Sequence, residues 1–257
     1  VGWTGIWFCG LPPPPPSPFP NSRNSWKESN VLVKMDFPVK VNTTKASFDI
    51  QFGSVERPIH KNTLWDHARF EVCAHKWVDL SDNGFGLSLL NDCKYGYDVN
   101  RDHIRLSVLR SSTYPDPDQD KCHHEFALRM MPHSGAVDLP QVNRDAYSFN
   151  YPLYTRAVTS GGNLPAEYSL LQVGADNVII ETIKQAEDGD DIVLRAFECA
   201  NKTTNAVIKL NLNGYEAFEA ELMEENLTPL CYCDGNLDLH FEPFEIKTVL
   251  LRKKALS

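Results

Sequence analysis

The feature that most restricts what this chain can fold into is a succession of short apolar runs, each closed by Gly, Pro, Asn or Asp. Phe48, Ile50 and Phe52 alternate with Asp49 and Gln51, the period-two pattern of a strand with one face on a core and the other on water. Comparable runs follow at 69–80, 84–90, 103–110, 124–131 and 146–154. Sustained 3.6-residue periodicity is almost absent, so the fold class read from the pattern is all-β, with strands at sandwich spacing. The segment 155–167, carrying Ser160-Gly161-Gly162-Asn163 and Pro165, interrupts the series. Beyond it, runs at 168–173, 178–183, 192–199, 207–212, 218–223 and 246–251 describe a second, smaller all-β unit. Asn213-Gly214 and Asp234-Gly235-Asn236 predict hairpin turns, because these pairs readily supply the positive φ that such turns need. The expected organisation is a Pro-rich leader over 1–25, polyproline II around Pro12–Pro16, then a main sandwich over 26–166 and a smaller β-domain over 167–257.

Charge and hydropathy narrow the function classes. At 257 residues and 42% hydrophobic side chains the chain is long enough to bury a large core. A net charge of −9 leaves no basic stripe for phosphates, which argues against a nucleic-acid partner. No apolar run approaches the roughly 20 residues of a membrane span, which argues against a membrane partner. Seven cysteines without a CxxC pair read as reduced thiols, favouring a reducing compartment. Three glycosylation sequons, beginning at Asn42, Asn201 and Asn226, would matter only on a secretory route.

Most motif-like patterns fail on their own spacing. His123 and His124 are neighbours on a strand and point to opposite faces, so they do not easily share a metal ion. His124-Glu125 opens like a zinc-protease helix motif, but the second ligand position is Leu128. Asp116, Asp118 and Asp120 start like a calcium loop, which then lacks its Gly and its closing Glu, having Lys121 and Ala127 there. Gly84-Phe85-Gly86 meets Leu89 where a dinucleotide fingerprint has its third Gly. Cys231-Tyr232-Cys233 has no second ligand pair. What remains is a cluster between Trp65 and Tyr97. Trp65, Asp66, Arg69, His75, Trp77, Asn91, Asp92, Lys94 and Tyr95 combine aromatic faces with the donors and acceptors that bind sugar hydroxyls. The alternative for Trp65 and Trp77 is that they anchor a sandwich core.

The same stretch carries a family resemblance. Arg57-Pro58-Ile59-His60-Lys61-Asn62-Thr63, Trp65-Asp66, Ala68-Arg69-Phe70-Glu71-Val72, Gly84-Phe85-Gly86 and Leu89-Leu90-Asn91-Asp92-Cys93-Lys94-Tyr95-Gly96-Tyr97 resemble the C-terminal region of α-mannosidases of glycoside hydrolase family 38. Leu106-Ser107-Val108-Leu109-Arg110-Ser111, Tyr114-Pro115-Asp116-Pro117, His124-Glu125-Phe126 and Met131-Pro132-His133 extend the match. It is densest over 31–154, is weaker to about 252, and points to the cytosolic or vacuolar branch. The resemblance implies a large galactose-mutarotase-like β-supersandwich followed by a smaller C-terminal sandwich. It implies a retaining exo-α-mannosidase acting on mannose-containing oligosaccharides, with a zinc ion orienting sugar hydroxyls and a carboxylate nucleophile. In that family the zinc ligands, two His and two Asp, and the nucleophile lie in an upstream α/β domain. The expectation is that this partner domain is missing here and that the chain alone is inactive, holding neither zinc nor a catalytic residue. An apolar face that normally packs on that domain is then expected at the surface. Residues 1–25 match nothing in the family. The substrate-binding candidates are Asn91, Asp92, Lys94 and Tyr95, the first three as hydrogen-bonding partners of mannose hydroxyls and Tyr95 as a stacking face. A simple hairpin-shaping role for Asn91 and Gly96 is the alternative at residue level. A stand-alone carbohydrate-binding or interaction module is the alternative for the whole chain. The expected compartment is the cytoplasm, with the vacuole or lysosome as the alternative.

Overall fold

The computed structural model describes residues 22–157, 165 and 167–254. The chain divides into two compact units between Pro152 and Leu153. In the first unit the elements are β1 (Ser22–Ser25), β2 (Val33–Pro38), β3 (Lys45–Ile50), β4 (Gly53–Pro58), α1 (Leu64–Ala68), β5 (Val72–Cys73) and β6 (Trp77–Ser81). They continue with β7 (Phe85–Asn91), β8 (Gly96–Asn100), β9 (His103–Leu109), β10 (His123–Phe126), β11 (Leu128–Ser134) and α2 (Leu139–Asn150). The strands pair antiparallel into a five-stranded sheet β11-β7-β6-β3-β4, a four-stranded sheet β2-β9-β8-β5 and a short ribbon β1-β10. The expected leader over 1–25 thus lies outside the described residues except for 22–25, which form β1.

Alternation builds the core of this unit. Phe48 on β3, Val78 and Leu80 on β6, Leu89 on β7, Tyr97 on β8 and Ile104 and Leu106 on β9 are buried in one cluster. Each large apolar side chain removed from water contributes about 1.5–3 kcal/mol. The other face of the five-stranded sheet is covered by α2, whose Val142 and Ala146 pack on Trp77 and Leu90.

Three local expectations change. The alternating run through Phe52 is not one strand: β3 stops at Ile50, and Phe52, with φ +55°, turns the chain into β4. Asp49, read as a solvent-facing partner of that alternation, is buried, and its carboxylate accepts the backbone N–H of Lys76 at 2.7 Å. Burial pushes its pKa up, against the opposing pull of Lys76. The run at 146–154, read as a strand, is no strand: 146–150 form the end of α2 and 151–154 lie beyond it. Asp138 caps that helix by accepting from Gln141 N–H, a proline sits in its first turn, and Val142, Ala146 and Phe149 share one face at helical spacing.

The second unit holds β12 (Leu171–Val173), β13 (Val178–Gln185), β14 (Ile192–Glu198), β15 (Thr204–Leu210), β16 (Tyr215–Ala220), β17 (Thr228–Leu230), β18 (Tyr232–Cys233), β19 (Asn236–Phe241) and β20 (Ile246–Lys253). These form a four-stranded sheet β12-β15-β19-β18 and a five-stranded sheet β13-β14-β20-β16-β17. Leu194, Ile208, Leu237, Phe241 and Leu251 meet in its core. On β15 and β19 burial alternates residue by residue, as a half-solvated sheet demands. Asp234 and Gly235, at φ +50° and +78°, make the expected β18–β19 hairpin. Asn213-Gly214 does not close a hairpin: β15 and β16 lie in different sheets, so that turn carries the chain from one to the other. The molecule is thus all-β in architecture, two sandwiches with helices as accessories.

Candidate functional site

The turn between β7 and β8 is built around one buried amide. The Asn91 side chain is fully buried; its Nδ2 donates to the His75 carbonyl at 2.7 Å and to the Tyr97 hydroxyl oxygen at 2.5 Å. Its Oδ1 accepts the Lys94 backbone N–H at 2.8 Å, which closes the turn. The Asn91 carbonyl in turn accepts from Asn150 Nδ2 of α2 at 3.1 Å. One amide therefore joins the end of β7, the turn and the β5–β6 connection, with both its N–H donors and its oxygen engaged inside the protein.

Asp92 anchors the turn from its other side. Its Oδ2 accepts the Ala127 backbone N–H at 3.0 Å, between β10 and β11, and its Oδ1 is buried. Burial and this neighbouring carboxylate push the Cys93 thiol up to about 11. The Lys94 ammonium sits 5.4 Å above the centre of the Phe126 ring, a cation–π contact on a half-buried side chain. Tyr95 is the residue of the four that faces water: it is half exposed, and its ring lies 5.7 Å from the His75 ring, tilted by 35°. Tyr97, next but one, is completely buried, and desolvation raises its hydroxyl pKa.

The other cluster members separate into core and surface. Trp77 is buried and its Nε1 donates to Asn143 Oδ1 at 3.2 Å, so it is a core anchor rather than a binding face. Trp65 is 80% exposed on α1, beside exposed Leu64 and Phe70. Asp66 caps that helix reciprocally with Thr63 and receives Arg69 Nη2 at 3.3 Å. The Thr63 hydroxyl, followed by the backbone donors around it, holds the Asp66 carboxyl below the usual carboxylate range. A shallow cleft lined by Phe48, Arg57, Asp66, Arg69, Phe70 and Tyr97 opens beside this helix.

Near the Asn91 turn, a second set of rings was not singled out from sequence. The Lys76 ammonium lies 4.6 Å over the Tyr147 ring, and Tyr147 and Tyr151 are stacked at 5.9 Å. Their i, i+4 spacing on the end of α2 was the available signal, hidden by reading that segment as a strand. Also unread was a buried polar cluster on β6, β7 and β11, where Asp79 accepts from Ser81 and Ser88 hydroxyls at 2.6 Å each and lies 2.7 Å from His133 Nε2. Among the described residues no three His, Cys, Asp or Glu side chains converge on a point that would hold a metal ion. The described residues therefore do not assemble a zinc site.

Comparison with known proteins gives consistent matches. The model of the glycosyl hydrolases family 38 C-terminal domain matches residues 22–118, and that of the family 38 C-terminal beta sandwich domain matches residues 177–249. Alpha-mannosidase 2C1 of Homo sapiens is 40% identical over 232 residues, 88% of this chain and 22% of that protein. The Alpha-mannosidase of Saccharomyces cerevisiae is 37% identical over 255 residues, 88% of this chain and 23% of that protein. The chain thus spans 22% to 23% of the length of these curated relatives. A crystal structure of an alpha-mannosidase from Enterococcus faecalis V583 superimposes with a TM-score of 0.75 at 18% identity, covering 90% of this chain and 27% of that one, a likeness of fold.

Proposed function

We propose, from the premise that this chain belongs to the C-terminal β-sandwich region of glycoside hydrolase family 38, that it serves as the non-catalytic portion of an α-mannosidase. In this reading the complete enzyme removes terminal α-mannose from oligosaccharides with retention, in the cytoplasm. Zinc, which would orient sugar hydroxyls, and the nucleophilic carboxylate belong to residues outside this chain. The chain's own contribution is support of the fold and a sugar-facing turn. The observation that carries this is the arrangement over 91–97: Asn91 and Asp92 are engaged within the protein, and Tyr95 is held half exposed against His75. A rigid aromatic ring loses little entropy when the apolar face of a pyranose stacks on it. The Lys94 ammonium, over the Phe126 ring, is offered in this reading as a donor to a hydroxyl.

The test places this chain in the position of the matching C-terminal part of human alpha-mannosidase 2C1 and assays a chromogenic α-mannoside. The chimera is expected to be active, and Tyr95→Ala is expected to lower kcat/KM about tenfold, the worth of one aromatic contact of about 1.4 kcal/mol. Unchanged kcat/KM would remove the turn from the substrate site. The isolated chain is expected to be silent with and without added zinc. Hydrolysis by it would overturn the assignment of the chemistry to residues elsewhere. Millimolar or tighter binding of mannose-rich glycans by the silent chain would instead favour the stand-alone binding module.

A further inference from the structure

Where the second unit's chain passes from its five-stranded sheet to its four-stranded one, two thiols face each other. Cys231 is the single residue between β17 and β18, and Cys233 ends β18. Both are exposed, and their sulfurs lie 3.5 Å apart. The backbone between them is pinned: Tyr232 packs against the sandwich core and its hydroxyl donates to the Leu212 carbonyl at 2.6 Å. After Cys233 the chain enters the Asp234-Gly235 turn, where a Cβ on Gly235 would stand 2.9 Å from the Leu210 carbonyl oxygen. Two thiols fixed on one side of a pinned backbone have already lost the freedom that disulfide formation ordinarily consumes.

We propose that Cys231 and Cys233 form a reversible dithiol–disulfide site for two-electron oxidants of the peroxide class. This rests on the crossover geometry alone and is independent of the glycosidase reading. The Cys231 thiolate attacks one peroxide oxygen, breaking the O–O bond, releasing hydroxide and leaving a sulfenic acid. The Cys233 sulfur then attacks the sulfenic sulfur, expelling hydroxide as the S–S bond forms. The two thiol protons accompany the two hydroxides, so two thiols and one hydrogen peroxide give one disulfide and two waters. Written in the opposite order the step balances equally, since either sulfur can be the donor of the pair. Both sulfurs are exposed, so a bond between them is open to reducing thiols, which suits a switch better than a buried permanent staple. When formed, it closes the crossover between the two sheets.

Cleavage after Lys209 and Lys247 isolates both thiols in one tryptic peptide that contains no other cysteine. The 257-residue chain is treated with hydrogen peroxide, alkylated, digested and weighed. The expected result is a loss of about 2 Da in that peptide, protection of both thiols from alkylation, and full reversal by dithiothreitol. It should form about tenfold faster than Cys93, whose thiol is held protonated, loses its reactivity. In Cys233→Ser the same treatment should leave a sulfenic acid on Cys231 that dimedone traps, and Cys231→Ser should give no loss of mass. Both thiols still alkylated after Cys73 or Cys122 has been consumed would overturn the proposal. So would direct addition of oxygen to Cys231 or Cys233 without the disulfide, read apart from sulfoxide formation at the exposed Met223 of the same peptide, or pairing of either cysteine with another chain.

Discussion

Asn91 ties three lengths of backbone together through one side chain, so its cost of removal is a matter of unmet partners. Asn91→Ala leaves the Tyr97 hydroxyl, the His75 carbonyl and the Lys94 N–H without their partner in a buried place. A loss of about 2–4 kcal/mol is expected in urea unfolding. Tyr95→Ala, at a half-exposed position, should stay within about 0.5 kcal/mol of the parent. This pair of measurements separates the residue that holds the turn from the one that faces outward. Asp82 illustrates the acid side of the same economy. Its carboxylate accepts backbone N–H groups from Asn42, Gly84 and Phe85 at 3.0, 2.7 and 3.0 Å, which hold its pKa below 3.8. A depressed folded pKa stabilises the protein above the unfolded value and loses that contribution as pH falls through the folded one. The urea midpoint should therefore fall as the pH drops below the ordinary carboxylate range, and Asp82→Asn should make that fall shallower.

Between β7 and β11 an absence of side chain is what allows a contact. Gly86 faces His133 in the register, and a Cβ at that position would overlap the His133 ring and the Ser81 side chain. Gly86→Ala is expected to push His133 away from Asp79 and to cost about 1–3 kcal/mol, as overpacking does. An unchanged midpoint together with an unchanged His133 side-chain environment by NMR would contradict this. Most strands were legible because alternation reports burial directly, as in β9, where Ile104, Leu106 and Val108 face inward. The helix α2 was not, since its buried face includes Asn143. That amide is polar in sequence and counts against an apolar stripe, yet in place it accepts from Trp77 Nε1 across 66 residues of chain. Its cap, Asp138, and the proline in its first turn were signals present in the sequence, upstream of the run 146–154 that was read as a strand.

Each of the two units has its own core, one around Phe48, Leu89 and Tyr97 and one around Leu194, Leu237 and Phe241. A unit with a complete core unfolds cooperatively by itself. Brief trypsin treatment is expected to cut after Arg156, which is exposed and outside any helix or strand, and to yield two pieces. Each piece should show a sigmoidal urea transition of its own. A piece that unfolds without cooperativity would mean that its core depends on the other. The division at Pro152 follows directly on the end of α2 at Asn150 and precedes the segment 155–167 that composition marks.

Period-two alternation, turn residues and ordered blocks of motif were local properties, so the sequence by itself determined an all-β chain, its approximate strand list and its family resemblance. Pairing between strands far apart in the chain was decided only by the tertiary structure. That is why Asn213-Gly214 proved to cross between sheets, why Asp49 and Asn91 turned out to be buried, and why Cys231 and Cys233 meet at a crossover. Whether a polar group faces water or a partner depends on what a distant segment places beside it. Alternation along one strand carries no record of that neighbour.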